Sequence, residues 1–343
     1  MYASYLKLSS FRIFTRIDLS LCPGKNLIFG PNGSGKTSVL EAVFVLAFGK
    51  TFQVARRSDL ISYGAEGFFL KVGVCADCNE HEISFQFKDQ SLLTIDDKKA
   101  SLAEVKKKLH PVVFSSSSHS SLAENQTALK RQCDRFVFGL DTLYLSSLLR
   151  YNHILRQKNC LLKGEADFSQ LDSWNYLLAE QGAEIVKSRK NFTAILNAKV
   201  KAMFQLDLML QYRPAVNETT RDGYYTALKK MRHDEFRNRR SLSGSHRDHF
   251  RWEFAGKPMA HSSSGEKKTR LLLAFMAYLE LFKEVNGDFP IFLIDDFDTA
   301  LDRENLSLLL SSYPRMQVIA TSVHCHKGFD QEIEISKENQ SGR

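Results

Sequence analysis

No unbroken apolar run in the 343 residues approaches the ~20 that a membrane-crossing helix needs, so no membrane association is expected. The start, MYASYLKLSSF, lacks a charged segment followed by an apolar core, which argues against a signal peptide. The six cysteines, Cys22, Cys75, Cys78, Cys133, Cys160 and Cys325, are scattered through a chain too long to need disulfide staples. Reduced thiols and a cytoplasmic location are the expectation. Cys75-Ala-Asp-Cys78 has His81 nearby but no second pair spaced to complete a structural zinc site. It reads as a hairpin tip, and His324-Cys325-His326 is likewise not read as a metal site. There are no internal repeats, and the only low-complexity run is Ser115 to Ser118.

Hydrophobic residues make up 43% of the chain, enough for a substantial core and against a disordered protein. Lys and Arg total 47 against 39 acids, a net charge of +8. That balance fits either an ordinary basic protein or one with a polyanionic partner, since Lys and Arg neutralise phosphates and release counterions.

The first stretch alternates, with Leu6, Leu8, Ile13, Ile17, Leu19 and Leu21 at near-strand spacing before a turn at Pro23-Gly24. Asn26 to Phe29 reads as a short buried strand, Gly30 to Gly35 as a loop, and a helix is expected from Lys36 to Gly49 with one apolar stripe. Residues 68–97 alternate again, like a meander. From about 120 to 235 glycine and proline become scarce and leucines recur every three or four residues, which predicts a helical lobe inserted into an α/β body. Residues 244–260 return to strand patterning. A helix is expected from Ser264 to Gly287, with buried strands at Pro290–Ile294 and Met316–Thr321. The domain expectation is one lobe from 1–119 and 236–343, and an inserted lobe from 120–235.

Gly30-Pro31-Asn32-Gly33-Ser34-Gly35-Lys36-Thr37 matches G-x-x-x-x-G-K-[ST] in the required strand–loop–helix context. Glycines let successive backbone N–H groups face one phosphate, and the helix start adds its dipole. Lys36 is expected on the β- and γ-phosphates and Thr37 on Mg2+, with Ser38 completing the ATP-binding segment. Phe289 to Asp296 is an apolar strand ending in two acids, which at a buried strand end call for a cation. Asp295 is expected to hold Mg2+ through water, and Asp296 to orient or deprotonate the attacking water. Ser262-Ser263-Ser264-Gly265-Glu266 is a good helix N-cap. Its place after a P-loop and before a double-Asp strand matches an ABC signature segment, whose Ser263 and Gly265 would touch a phosphate. Basic clusters at Lys106–Lys108, Lys187/Arg189/Lys190, Lys229/Lys230/Arg232 and Arg237/Arg239/Arg240 are solvated helix faces or, together, a phosphate-tracking surface.

With these motifs in view the chain resembles the RecF family of bacterial replication and repair proteins. The likeness is densest over Gly30–Gly64, Tyr151-Asn-His-Ile-Leu-Arg-Gln-Lys-Asn-Cys-Leu-Leu-Lys163, Gly244-Ser-His-Arg-Asp248 and Asp295-Asp-Phe-Asp-Thr-Ala-Leu-Asp302. The resemblance implies an ABC-type, SMC-head-like ATPase lobe with a helical second lobe. It implies an ATP-dependent homodimer that binds double-stranded DNA, hydrolyses ATP slowly and, with RecO- and RecR-type mediators, helps RecA load at gaps. In that family Ser263 and Gly265 would reach across the dimer to the partner's ATP, and Ala300-Leu301-Asp302 would link the two sites. The chain departs from the family at Ser115–Ser118, at Gln126–Asp134 and at Glu266, where a glutamine is usual. An acid there repels a γ-phosphate unless cation-paired. Two other readings are a P-loop kinase or metabolic ATPase, which needs neither a signature segment nor a basic helical lobe, and a degenerate family member that binds DNA or a partner with little turnover.

Overall fold

The computed structural model describes residues 1–336 apart from 54–55, 77–78, 116–117, 165–166 and 301–302. By contacts the chain divides into Met1–His119 with Phe282–Arg343, and Ser120–Leu281.

The first unit holds two sheets. Strands β1 (Tyr2–Phe11), β2 (Phe14–Ser20), β4 (Phe68–Ala76), β5 (Asn79–Phe87), β6 (Ser91–Ile95) and β7 (Lys98–Lys99) form an antiparallel sheet in the order β2-β1-β4-β5-β6-β7. Strands β3 (Lys25–Phe29), β8 (Pro111–Ser115), β12 (Ile291–Asp295), β13 (Val318–Ser322) and β14 (Gln331–Glu334) form a parallel sheet in the order β14-β3-β13-β12-β8. The pairs β3–β13, β3–β14 and β8–β12 join segments far apart in sequence, so both ends of the chain are needed to build the sheet.

Helix α1 (Lys36–Phe48) packs on strands of both sheets, and its side chains share one apolar core with Leu6, Leu70, Ile83, Leu293 and Ile319. Its Glu41, Ala42, Val45 and Leu46 are buried along with the expected stripe of Val39, Leu40, Val43, Phe44 and Ala47. A helix flanked by two sheets has no solvated face to keep polar, which is why one stripe understates its burial. It ends at Gly49, whose φ of 63° and N–H bond to the Val45 carbonyl make the expected left-handed cap. Short helices α2 (Leu102–Lys106), α10 (Phe297–Ala300) and α11 (Arg303–Ser312) complete this unit. The expected hairpin closes at Ala76↔Asn79; Cys78, half of the C-x-x-C, lies outside the described residues.

The second unit is mainly helical: α4 (Gln126–Leu140), α5 (Tyr144–Lys163), α6 (Phe168–Phe204), α7 (Arg221–Lys230) and α8 (Arg232–Asn238), with α3 (Ser118–Glu124) at its start. It also contains an antiparallel sheet, β9 (Leu208–Arg213), β10 (His249–Phe254) and β11 (Lys257–Pro258), in the order β11-β10-β9. Helix α9 (Ser264–Asn286) contributes Phe275 and Tyr278 to its core, where Phe136 stacks on Tyr278 at 3.8 Å and meets Phe275 edge-on at 5.1 Å. Residues 236–281, expected with the other lobe, cluster here, because β10 pairs with β9 and α9 packs on α4. Among the described residues no helix is long and apolar enough to cross a membrane.

Candidate nucleotide site

The loop from Gly30 to Gly35 leaves the carboxyl end of β3 and enters α1. Its glycines are dictated by space as much as by dihedral angle. Gly30 has φ 154°, and a Cβ there would stand 2.2 Å from the Ile335 carbonyl oxygen. Gly35 has φ 96°, and a Cβ would meet the Phe14 ring at 2.5 Å. Pro31, Asn32 and Gly33 form the exposed tip, and a Cβ on Gly33 would meet nothing. Helix α1 starts at Gly35 with no side-chain cap and no acid in its first turn. The N–H groups of its first turn therefore remain for an anion.

Lys36 is 5% exposed, and its ammonium donates to the carbonyls of Gly30 at 2.7 Å and Pro31 at 3.0 Å. Ser34 is fully buried and its hydroxyl has no hydrogen-bond partner among the described residues. A buried orphan hydroxyl, an uncapped helix start and an ammonium held by two loop carbonyls together fit a phosphate cradle.

The acidic strand β12 brings its end to this cradle. The Thr37 hydroxyl donates to Asp295 Oδ1 at 2.9 Å. The Thr321 hydroxyl, on β13, donates to the same oxygen at 2.9 Å and accepts from the Asp296 N–H at 2.8 Å. Burial raises the Asp295 pKa above the ordinary carboxylate value, the Thr37 and Thr321 hydroxyls oppose the rise, and the Asp296 and Glu41 charges add to it. A buried carboxylate facing further carboxylates, beside a threonine hydroxyl, is an oxygen donor set suited to a hard divalent cation such as Mg2+. Asp296 is half-buried with φ 50°, a left-handed conformation that costs a non-glycine residue and recurs at functional turns. Its carbonyl accepts from the N–H groups of Thr299 and Ala300, each at 2.9 Å. Leu301 and Asp302 of the expected linking segment lie outside the described residues.

In the second unit, Ser263 caps α9 with a reciprocal box. The Glu266 N–H donates to Ser263 Oγ at 3.3 Å, and Glu266 Oε2 accepts from the Ser263 N–H at 2.9 Å. Arg270 holds the other Glu266 oxygen at 2.8 Å, so the departure to an acid here is cation-paired. Hydrogen bonds from Ser263 and the Arg270 charge draw the Glu266 pKa below the usual carboxylate value. Ser263 and Gly265 are exposed, and Gly265 has open space where a Cβ would point.

In the His246-Arg247-Asp248 segment Asp248 is buried, His246 half-buried and Arg247 exposed, and Asp248 belongs to a buried structural centre. Arg189, 1% exposed, donates to Asp134 at 2.7 Å, Asp248 at 2.6 Å, the Ser245 carbonyl at 2.9 Å and the Tyr144 hydroxyl at 2.9 Å. His246 Nδ1 meets the Tyr151 hydroxyl at 2.9 Å, which joins two of the sequence segments that carry the family resemblance. Burial pushes the His246 pKa down to about 4. Arg189 and Lys106, read as members of basic faces, are thus buried, whereas Lys229, Lys230, Arg237, Arg239 and Arg240 are exposed.

Two participants escaped the sequence reading. Thr321 orders both aspartates, and its signal was only a polar residue ending a buried strand. Arg12 makes a two-pronged ion pair to Glu41 of α1, both contacts at 2.9 Å, fixing the β1–β2 hairpin against the phosphate-loop helix.

A family model described as RecF/RecN/SMC N terminal domain matches residues 2–340. DNA replication and repair protein RecF of Carboxydothermus hydrogenoformans is 29% identical over 321 residues, 90% of each chain. That of Geotalea daltonii is 30% identical over 351 residues, covering 97% of this chain and 96% of its own. Solved structures of the recombination mediator protein RecF in the RecFOR pathway, RecF-ATP and RecF-ATPrS, align with TM-scores of 0.89 and 0.87. Each is 25% identical and covers 98% of this chain and 96% of its own. The α/β fold is therefore the ABC-ATPase type of these proteins, and with the family model spanning nearly every residue the chain belongs to the RecF family of DNA replication and repair proteins.

Proposed function

We propose that this chain is an ATP-dependent DNA clamp of the RecF type, acting in the cytoplasm in recombinational repair and replication. The observation that carries the reading is the Thr37–Asp295 hydrogen bond at 2.9 Å, which joins the phosphate loop to the acidic strand. Gly30 to Ser38 hold the phosphates of ATP, with Lys36 leaving its two loop carbonyls for the β/γ-phosphate oxygens. Thr37 and Asp295 hold Mg2+, which when bound neutralises charge on those oxygens. Asp296 orients the attacking water and takes its proton, and its backbone N–H bond to Thr321 fixes where its carboxylate starts. Ser263 and Gly265, exposed at the start of α9, reach the γ-phosphate of a second copy, so that hydrolysis requires an ATP-sandwiched homodimer. The exposed cations of α7 and α8 track the phosphates of double-stranded DNA without reading bases. The RecFOR pathway to which the structural neighbours belong supports RecO- and RecR-type mediators as partners in RecA loading.

Steady-state ATP hydrolysis with and without duplex DNA tests the reading. Wild type is expected to turn over slowly and to be stimulated by duplex. Lys36→Ala should lose nucleotide binding while folded, and Asp296→Asn should bind ATP but hydrolyse it about 100-fold more slowly. Unchanged nucleotide affinity in folded Lys36→Ala, or wild-type turnover in Asp296→Asn, overturns the corresponding assignment.

A further inference from the structure

The helical unit contains a cavity of about 250 Å³ lined by Gln126, Arg213, His249, Phe250 and Arg251. We propose that it is a second anion site, built for a phosphate group, in the unit that does not contain the phosphate loop.

The strand register builds it. In the β9–β10 pair Arg213 lies opposite His249, and Gln211 opposite Arg251. Residues opposite each other in an antiparallel pair, and residues two apart in one strand, share a face. Arg213, His249 and Arg251 therefore stand on one face of the pair. The other face carries Leu208, Leu210, Phe250 and Trp252, each 3% exposed or less. The outer face thus carries two permanent cations and an imidazole against one acid, Glu253. Like charges brought together on one face cost stability unless an anion answers them.

The nearby acids answer them only in part, through Glu253 on the same face of β10. Among the described residues Arg213 makes no ion pair, and Arg251 makes one, between Nη2 and Glu253. The Arg251 Nε–H is buried with no partner among the described residues. Asp248, next to His249, is committed elsewhere: it accepts from Arg189 at 2.6 Å, from the Ala215 N–H at 2.8 Å and from the Tyr212 hydroxyl. Gln126 Oε1 accepts from the Phe250 N–H at 3.2 Å, which leaves the Gln126 NH₂ to donate. The cavity thus gathers guanidinium, imidazole and amide donors. The uncommitted Arg213 guanidinium, the part of the Arg251 guanidinium that Glu253 leaves over and an amide suit a group with three or more acceptor oxygens and more than one negative charge. A phosphate monoester has that chemistry; a lone carboxylate leaves donors over. Its source is either a small phosphorylated molecule or inorganic phosphate, or the 5′-phosphate of a DNA end.

The inference does not depend on the assignment of the nucleotide site, and its test keeps the two apart. Full-length Lys36→Ala protein, and the same protein also carrying Arg213→Gln and Arg251→Gln, are titrated with inorganic phosphate by calorimetry at constant ionic strength. The first should show a saturable site that the second binds at least tenfold more weakly. Equal affinity in the two proteins, or no saturable site in the first, overturns a site for free phosphate. In a parallel arm, wild type and the Arg213→Gln/Arg251→Gln protein bind a duplex bearing a 5′-phosphate and its 5′-hydroxyl counterpart. A DNA-end source predicts several-fold preference for the phosphorylated duplex in wild type and none in the double variant. A small-molecule source predicts no preference in either, with phosphate binding retained. Failure of both arms overturns the proposal, whatever ATP does at Lys36. Should the double variant lose its fold by circular dichroism, Arg213→Gln alone, at an exposed position, decides by the same criteria.

Discussion

Asp295 is a residue whose charge the fold by itself disfavours, as its proposed role at a cation would require. It is 6% exposed, and burial raises its pKa even though two threonine hydroxyls bond one of its oxygens at 2.9 Å. A raised folded pKa means the ionised form is the disfavoured one: the contribution to stability is fullest below the unfolded pKa and is lost as pH rises through the folded one. Ionising this carboxyl therefore weakens the nucleotide-free protein. Asp295→Asn keeps an oxygen for Thr37 and Thr321 and removes the charge. Its expected effect without nucleotide is stabilisation on the order of 1 kcal/mol at pH 7, read from urea midpoints, together with loss of magnesium-dependent ATP binding. A destabilised Asp295→Asn protein would mean that the carboxylate is satisfied by the fold alone.

Among the elements, α9 begins in a way that separates capping from signalling. Ser263 and Glu266 form a reciprocal capping box, and Ser-x-x-Glu before an apolar helix announces it in the sequence. A cap alone predicts that Ser263→Ala and Ser263→Arg each lose about 1 kcal/mol and change assembly not at all. A contact with a partner's phosphate predicts that Ser263→Arg leaves ATP binding by the monomer near wild type, because the phosphate loop is built within one chain. It should abolish the ATP-dependent dimer and lower hydrolysis with it. Sedimentation velocity of wild type and Ser263→Arg with ATP and magnesium decides between the two. Dimerisation of Ser263→Arg at wild-type affinity would leave Ser263 as a cap only.

At the scale of the whole molecule, each unit carries a histidine whose surroundings favour the neutral ring, His110 buried and His246 half-buried. His110 stacks on Phe282 at 4.8 Å, and burial pulls its pKa down to about 3. His246, against Tyr151, is pulled down to about 4 by burial. Lowered folded pKa values mean that stability is fully present above the unfolded value near 6.5 and is lost as pH falls from there toward the folded values. The raised pKa values of Asp248 and Asp295 act the other way as those groups take up protons. Between pH 6.5 and 5 each histidine contributes up to about 1.4 kcal/mol per pH unit. Denaturation midpoints should fall over that range, and His110→Phe should remove about half of the slope. A His110→Phe protein with the same slope as wild type would show that the His110 ring is not held uncharged by the fold.

The sequence alone determined what is local. The phosphate loop, its glycines, the helix it feeds, the left-handed stop at Gly49, the capping box and the apolar strand ending at Asp295 follow from backbone freedom, hydrogen-bond supply and short-range periodicity, which act within a few residues. Tertiary structure decided what depends on which polar groups lose water together. Thr37 meets Asp295 across 258 positions of sequence, Thr321 arrives from a third strand, and α1 is buried all round because two sheets enclose it. Arg189 reads as part of a basic face in its helix, yet it is the buried centre that unites Asp134 and Asp248. Arg213, His249 and Arg251 look like unremarkable surface cations until strand register sets them around one cavity. Charge and polarity are properties of a residue, but the cost of burying them belongs to the partners that the fold brings, and no local pattern names those partners.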